Sequence, residues 1–277
     1  NAVSYLDRLK EADVLSSDEF ENVVGRISFF VNSGIKFITE MCKMRAFVDL
    51  WDEITKERYG VQNPKNRRFR YGVQVNSLGL TEQQPENNVY RILIEMMAVV
   101  LSKDARARAV QLPAWNEALG LPRTWDQQWS LRLQQILAFE TDLLEFEDLF
   151  NGSKVIDEKV LEMKTEAKKE FDYIQSIGGA VVGIENSYLK QQLVNSNKER
   201  IQNINDGKQV VVGVNKFTET EASPLTANDS GIETIDSSVE AEQIKSLNEW
   251  RVARDSNAVK EALLKLKAVS YTHLTLP

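Results

Sequence analysis

Short alternating runs and longer helical stripes of apolar residues take turns along the first half of the chain. Tyr71 to Val75 is a short apolar run that gives way to a polar turn through Asn76, Ser77, Leu78 and Gly79. Pro85 follows, and then a helical pattern opening with Val89, Ile92, Ile94 and Met97. This predicts strand, long loop and helix, with the loop at the carboxyl end of a strand, where parallel α/β folds place their chemistry. RISFFVN (Arg26 to Asn32) predicts an earlier strand. The stripe Phe37, Ile38, Met41, Met44, Phe47, Val48, Trp51 and Ile54 after it predicts a helix ending by Gly60. Its spacing makes it core and not a cofactor box. ARAVQLP (107–113) predicts a third strand and residues 124–141 the next helix. Such alternation predicts a parallel sheet, either doubly wound or a barrel.

The ends read differently. SYLDRLKEADVL is an amphipathic helix with no start signal, which looks cut and not begun, and Ser16 with Glu19 offers a capping box for the next turn. Beyond Gly152, residues 155–177 and 184–206 predict two long charged helices separated by Gly178-Gly179. The β-branched run 210–214 predicts a short strand, 218–241 a linker rich in Thr, Ser, Glu and Asp, and 242–268 a final helix. YTHLTLP breaks the composition, so 269–277 is expected to be a non-native tail.

Composition narrows the function classes. With 42% apolar and 27% charged residues the chain is globular, and a net charge of −7 argues against nucleic acid as a partner. No apolar run reaches membrane-spanning length and no secretory signal opens the chain, which points to a cytoplasmic protein without a membrane partner. A single cysteine, Cys42, excludes an internal disulfide and a cysteine-based zinc cluster. The one histidine, His273, stands at a terminus too frayed to hold a base in place, so no histidine acid–base catalysis and no metal site is expected here. The basic loop 63–70 is either a solvated charge run or a phosphate-binding edge. Arg26, Ser28, Gln74, Asn76 and Glu117 are the convergent polar groups of a strand-end face. No Walker loop or Rossmann glycine fingerprint appears.

GLTEQQPENNVYR (Gly79 to Arg91) resembles the S-L-T-x-Q-x-x-x-N-N-x-x-R stretch of the adenosylcobalamin-dependent acyl-CoA mutases. RISFF, RLQQI, Glu140, the D-x-x-x-G-S of Asp148 to Ser153 and GVNKF (Gly213 to Phe217) follow in matching order. Within that family, the stretches 70–91 and 107–123 are most similar to the branch acting on ethylmalonyl-CoA. The resemblance implies that 1–153 is the C-terminal portion of a (β/α)₈ TIM barrel with acyl-CoA along its axis, followed by a helical extension and linker. It places Arg26, Ser28, Phe30, Arg70 and Gly72 toward the acyl-CoA and Gln74, Ser77, Glu117 and Ala118 toward adenosylcobalamin, with Glu117 as ribose acceptor. It implies an isomerase working by a radical mechanism on ethylmalonyl-CoA. The same resemblance admits methylmalonyl- or isobutyryl-CoA as substrate, or a non-catalytic acyl-CoA-binding subunit. It further implies a homodimer when intact, and a chain inactive alone because the early barrel strands and the cobalamin-binding domain are absent. Three positions depart from the family pattern: a histidine is Gly72, Q-S-L-H-T-N-A is Arg108 to Ala114, and D-P is Asp148-Leu149. Replacing an imidazole by hydrogen at Gly72 opens space for a larger acyl branch.

Overall fold

The computed structural model describes residues 1–226 and 231–272; His273 and the rest of the terminal tail lie outside them. Helices α1 (Ala2–Ala12) and α2 (Ser17–Val24) come first, α2 opening on the expected capping box. There the Glu19 amide donates to Ser16 Oγ at 3.4 Å and the Ser16 amide to Glu19 Oε2 at 2.9 Å. Then β1 (Phe29–Ser33), α3 (Phe37–Glu57), β2 (Tyr71–Val75), α4 (Asn87–Val100), β3 (Ala109–Gln111) and α5 (Thr124–Phe139) alternate. The protein is mixed α/β with a small parallel sheet in the order β1-β2-β3.

Register decides which side chains share a face. Phe30 pairs with Gly72 and Gly72 with Ala109; Asn32 pairs with Gln74 and Gln74 with Gln111. Alternate residues point to opposite sides of a strand, so these six share one face. On the other face Phe29, Val31, Tyr71, Val73 and Val110 pack with Met44 and Trp51 of α3 and Val99 of α4. Val75, Ile92, Met96 and Leu112 form a neighbouring cluster with Leu133 and Leu137 of α5. Fully burying side chains of this size contributes about 1.5–3 kcal/mol each. All connecting helices therefore cover a single face, and the Phe30–Gln74 face is left open. That arrangement is consistent with the barrel domain the resemblance implies.

Beyond the sheet, α6 (Lys154–Ser176) packs on α3 through Met41, Cys42, Ala46, Ile156 and Val160. Helices α7 (Gly179–Glu185) and α8 (Tyr188–Asn205) divide the expected 184–206 helix at Ser187, which adopts a left-handed backbone with φ 65°. The expected strand at 210–214 is reduced to one bridge, Val212 with Lys216, because the segment turns back on itself. The first strand starts at Phe29 and not Arg26, since the Arg26 and Ile27 amides still close the end of α2 by donating to the Val23 and Val24 carbonyls. Residues 1–232 form one compact unit and 233–277 a second. The second unit contains α9 (Ser237–Ala253) and α10 (Ser256–Thr272) where one helix is expected. Arg254 is extended, and Asp255 accepts the Asn257 and Ala258 amides to start the chain afresh.

The least expected element of the core is an acid. Glu95 on α4 is 1% exposed, and its Oε2 has no hydrogen-bond partner among the described residues. Burial first, then the neighbouring Glu40, pushes its carboxyl up to about 8, with Arg91 opposing. The unfolded chain gives up this proton near 4.5, whereas the fold keeps it until about 8. Stability is therefore fully present below the lower value and lost as pH rises through the upper one. Glu95→Gln keeps shape and neutrality. Thermal unfolding is expected to show the variant more stable than wild type at pH 8, by about 1 kcal/mol or more, and equal to it at pH 4.

Candidate functional site

The open face runs along the strands. At its amino-terminal edge, Arg26 and Ser28 are exposed in the approach to β1, and Arg70 sits half-buried just before β2, where its carbonyl accepts the Phe29 amide at 2.8 Å. Arg70 Nη2 donates to the Lys65 carbonyl at 3.2 Å. Burial, and then the repulsion of Arg108 and Arg68, lowers its pKa, the mark of a crowded cationic edge. Phe30 and Gly72 occupy the middle of the face, and Gln74 follows on β2. Ser77 lies beyond the carboxyl end of β2 in the short turn Ser77–Gly79, which Asn76 caps by accepting the Leu78 amide at 2.8 Å. Glu117 is exposed and Ala118 half-buried in the turn that follows β3. Sequence-picked residues thus fall into three zones: Arg26, Ser28 and Arg70 at one end, Phe30 and Gly72 between, Gln74, Ser77, Glu117 and Ala118 toward the other.

The loop at 79–91 contributes a scaffold. Asn88, fully buried, accepts the Thr81 amide at 3.0 Å and donates to the carbonyls of Thr81 at 2.9 Å and Trp115 at 2.8 Å. One amide side chain thereby joins the loop after β2 to the turn that carries Glu117. Arg91 donates to Thr81 Oγ1, Asn88 Oδ1 and, across a long sequence interval, the Val212 carbonyl, each at 2.8 Å. Gln84 Nε2 reaches the Phe217 carbonyl at 2.9 Å. The stretches 79–91 and 213–217, which both carry the family resemblance, are therefore bound to each other.

Other anchors hold the same rim. Asp126 is fully buried at the start of α5 and accepts from Trp115 Nε1 at 2.9 Å, Asn116 Nδ2 at 2.8 Å and the Arg123 guanidinium at 2.9 Å. Burial raises the Asp126 pKa, but these donors outweigh it and the net shift is downward. Asp148 pairs with Arg45 at 2.5 Å and accepts the amides of Asp104 and Phe150, fixing the connection before α6. In the basic loop, Arg67 pairs with Asp52 at 2.8 Å and donates to the carbonyls of Val61 and Gln62, so it braces its own loop. Asn88 and Arg91 stand in the matched family stretch and Arg67 in the basic loop, but sequence reasoning assigned a bracing role to none of them, nor to Asp126. Asp126 had a local signal, an acid in the first turn of a helix; Asn88 and Arg91 act through distant carbonyls that leave no trace in spacing, and Arg67 through Asp52 and two carbonyls of its own loop. A cleft of about 590 Å³ lies beside Gly34, Asn76, Thr81 and Glu95, closed on one side by 209–214. Among the described residues no cluster of His, Cys, Asp and Glu could hold a metal ion, and no helix is long and apolar enough to cross a membrane.

Comparison with known proteins places this geometry. The family model described as methylmalonyl-CoA mutase matches residues 1–276. The ethylmalonyl-CoA mutase of Cereibacter sphaeroides is 61% identical over 96% of this chain and 40% of its own length. That of Methylorubrum extorquens is 59% identical over 96% of this chain and 39% of its own. The methylmalonyl-CoA mutase large subunit of Porphyromonas gingivalis is 32% identical over 86% of this chain and 32% of its own. The chain spans about two-fifths of the length of the first two relatives. The matched segments include the open sheet face, the scaffolding loop and the segment that straps it, and the chain belongs to the methylmalonyl-CoA mutase family.

Proposed function

We propose that the chain is part of an adenosylcobalamin-dependent carbon-skeleton mutase that converts ethylmalonyl-CoA to methylsuccinyl-CoA. The observation that carries the reading is the lengthwise order of the open face: cations at the amino-terminal edge, an apolar middle, and amide and carboxylate groups at the other end. An acyl-CoA has matching chemistry, with phosphates at one end and a small thioester at the other. The substrate assignment is supported by 61% identity to a relative named for ethylmalonyl-CoA against 32% to one named for methylmalonyl-CoA. In this reading 1–153 is a sector of a (β/α)₈ barrel, 154–217 a helical extension and 218–241 a linker that leads into the helical segment of α9 and α10. The other barrel strands and the cobalamin-binding domain come from the remainder of a cytoplasmic protein that works as a homodimer.

Arg26, Ser28 and Arg70 hold the coenzyme A end, where guanidinium forks suit phosphate oxygens. Phe30 and Gly72 shape the space around the acyl group. Gln74, Ser77 and Ala118 border the cofactor, and the Glu117 carboxylate accepts from its ribose. The Glu117 turn suits that task because Ala114, Trp115 and Asn116 beneath it are buried and bonded, so an exposed carboxylate is presented on a preformed support. When bound, adenosylcobalamin supplies the radical chemistry; the protein's part is to orient the thioester and exclude water.

Incubating the full-length protein with adenosylcobalamin and ethylmalonyl-CoA is expected to give methylsuccinyl-CoA, faster than methylmalonyl-CoA is turned over; the reverse preference would remove the substrate assignment. The present chain alone is expected to turn over neither. Arg26→Ala in the full-length protein is expected to weaken acyl-CoA binding by about tenfold or more, read by calorimetry, since one charge-assisted hydrogen bond contributes about 1.5–3 kcal/mol. Glu117→Ala is expected to weaken adenosylcobalamin binding, read by absorbance titration, while acyl-CoA affinity stays within about twofold. Unchanged cofactor affinity would take Glu117 out of the site.

A further inference from the structure

Gly72 is a glycine without a backbone reason. It lies inside β2, outside the left-handed region that favours glycine, where the strand backbone taken alone favours alanine by about 0.5–1 kcal/mol. What distinguishes the position is its neighbour. A Cβ placed on Gly72 would lie 3.2 Å from both Cδ2 and Cε2 of Phe30, while the nearest backbone atom, the Ala109 carbonyl oxygen, is 3.8 Å away. The space that glycine opens is thus already taken by a phenyl ring from the neighbouring strand. Phe30 pairs directly with Gly72 in the register, so the glycine is the shelf on which the ring lies. The ring is still 59% exposed and makes no ring–ring contact among the described residues, so little besides this shelf fixes its tilt.

We propose that Phe30 and Gly72 act as one specificity-determining unit: glycine seats the phenyl ring low on the sheet, and the ring's height sets how large an α-branch of the acyl-CoA the face accepts. The inference rests on the functional reading above and changes its account of position 72. A side chain there does not fill empty space; it lifts Phe30 toward the substrate. A methyl group at 3.2 Å forces the ring to give by a few tenths of an ångström, and a larger group forces it further. The two positions must then be non-additive, as side chains in direct contact are.

The test is a double-variant cycle in the full-length enzyme with adenosylcobalamin, reading kcat/KM for ethylmalonyl-CoA and methylmalonyl-CoA, which differ by one methylene. Gly72→Ala is expected to lower the ethylmalonyl preference by about tenfold, the lower end of what one methylene is worth in a pocket. In a Phe30→Leu background the same change is expected to move it by less than about twofold. An equal change in both backgrounds, or no change in either, overturns the proposal. A second measurement does not need turnover. 4-Fluorophenylalanine at position 30 is expected to shift its fluorine resonance on Gly72→Ala, and an unmoved resonance shows that the ring does not rest on Gly72. A wild-type enzyme that turns over neither thioester overturns the functional reading itself, and the fluorine signal then reports the packing separately.

Discussion

One-sided burial of β2 is the constraint on which the rest depends. Tyr71, Val73 and Val75 are each within 1% of complete burial, pinned beneath α3 and α4. A slip of one residue would turn all three to the opposite face, so the register is held strongly. The same pinning leaves Gly72 and Gln74 no choice of side. It also carries Phe30 and Asn32 of β1, and Ala109 and Gln111 of β3, onto that open face by direct pairing. The open face is therefore a by-product of core packing on its reverse.

Strands alone would leave the loops at their carboxyl ends loose. Two buried side chains prevent this: Asn88 ties the loop after β2 to the turn after β3, and Asp126 ties that turn to α5. Arg91 and Gln84 then fasten the distant 212–217 segment to the same loop. A buried polar group left without partners costs on the order of 1–3 kcal/mol, so such a network holds together or fails together. Its effect is to fix where Ser77 and Glu117 stand without either of them entering the core. Glu95 is the contrary case. It is buried in the same layer and stays protonated because its surroundings offer burial and another acid, with Arg91 committed elsewhere.

Several residues that look functional by type prove to be braces. Arg67 belongs to the most basic stretch of the chain, yet it spends its guanidinium on Asp52 and two carbonyls. Asp148, part of a family motif, is consumed by Arg45 and two backbone amides. Arg70, in the same basic loop, keeps a crowded place on the open face beside Arg108 and Arg68. Within that loop, then, Arg67 is a brace and no solvated charge, while Arg70 stays among cations at the edge of the sheet.

By itself the sequence determined the alternation of strands and helices, the helical stripe of α3 and the capping box of α2, because each follows from residues within a turn or two of one another. Its family resemblance was legible because ordered motifs survive in the linear chain. Only the tertiary structure decided that the sheet is wound on one face, since that needs α3, α4 and α5 to choose the same side. It alone revealed that Asn88 and Arg91 are scaffold, because their partners at Trp115 and Val212 are set by folding and not by spacing. The length of β1 turned on the backbone hydrogen bonds of Arg26 and Ile27, and the break between α9 and α10 on the Asp255 side chain accepting two amides, below the resolution of any hydrophobic pattern. Gly72 shows the difference most plainly. In the sequence it is a missing side chain and reads as space, whereas the fold brings Phe30 across from the next strand and fills that space with a ring.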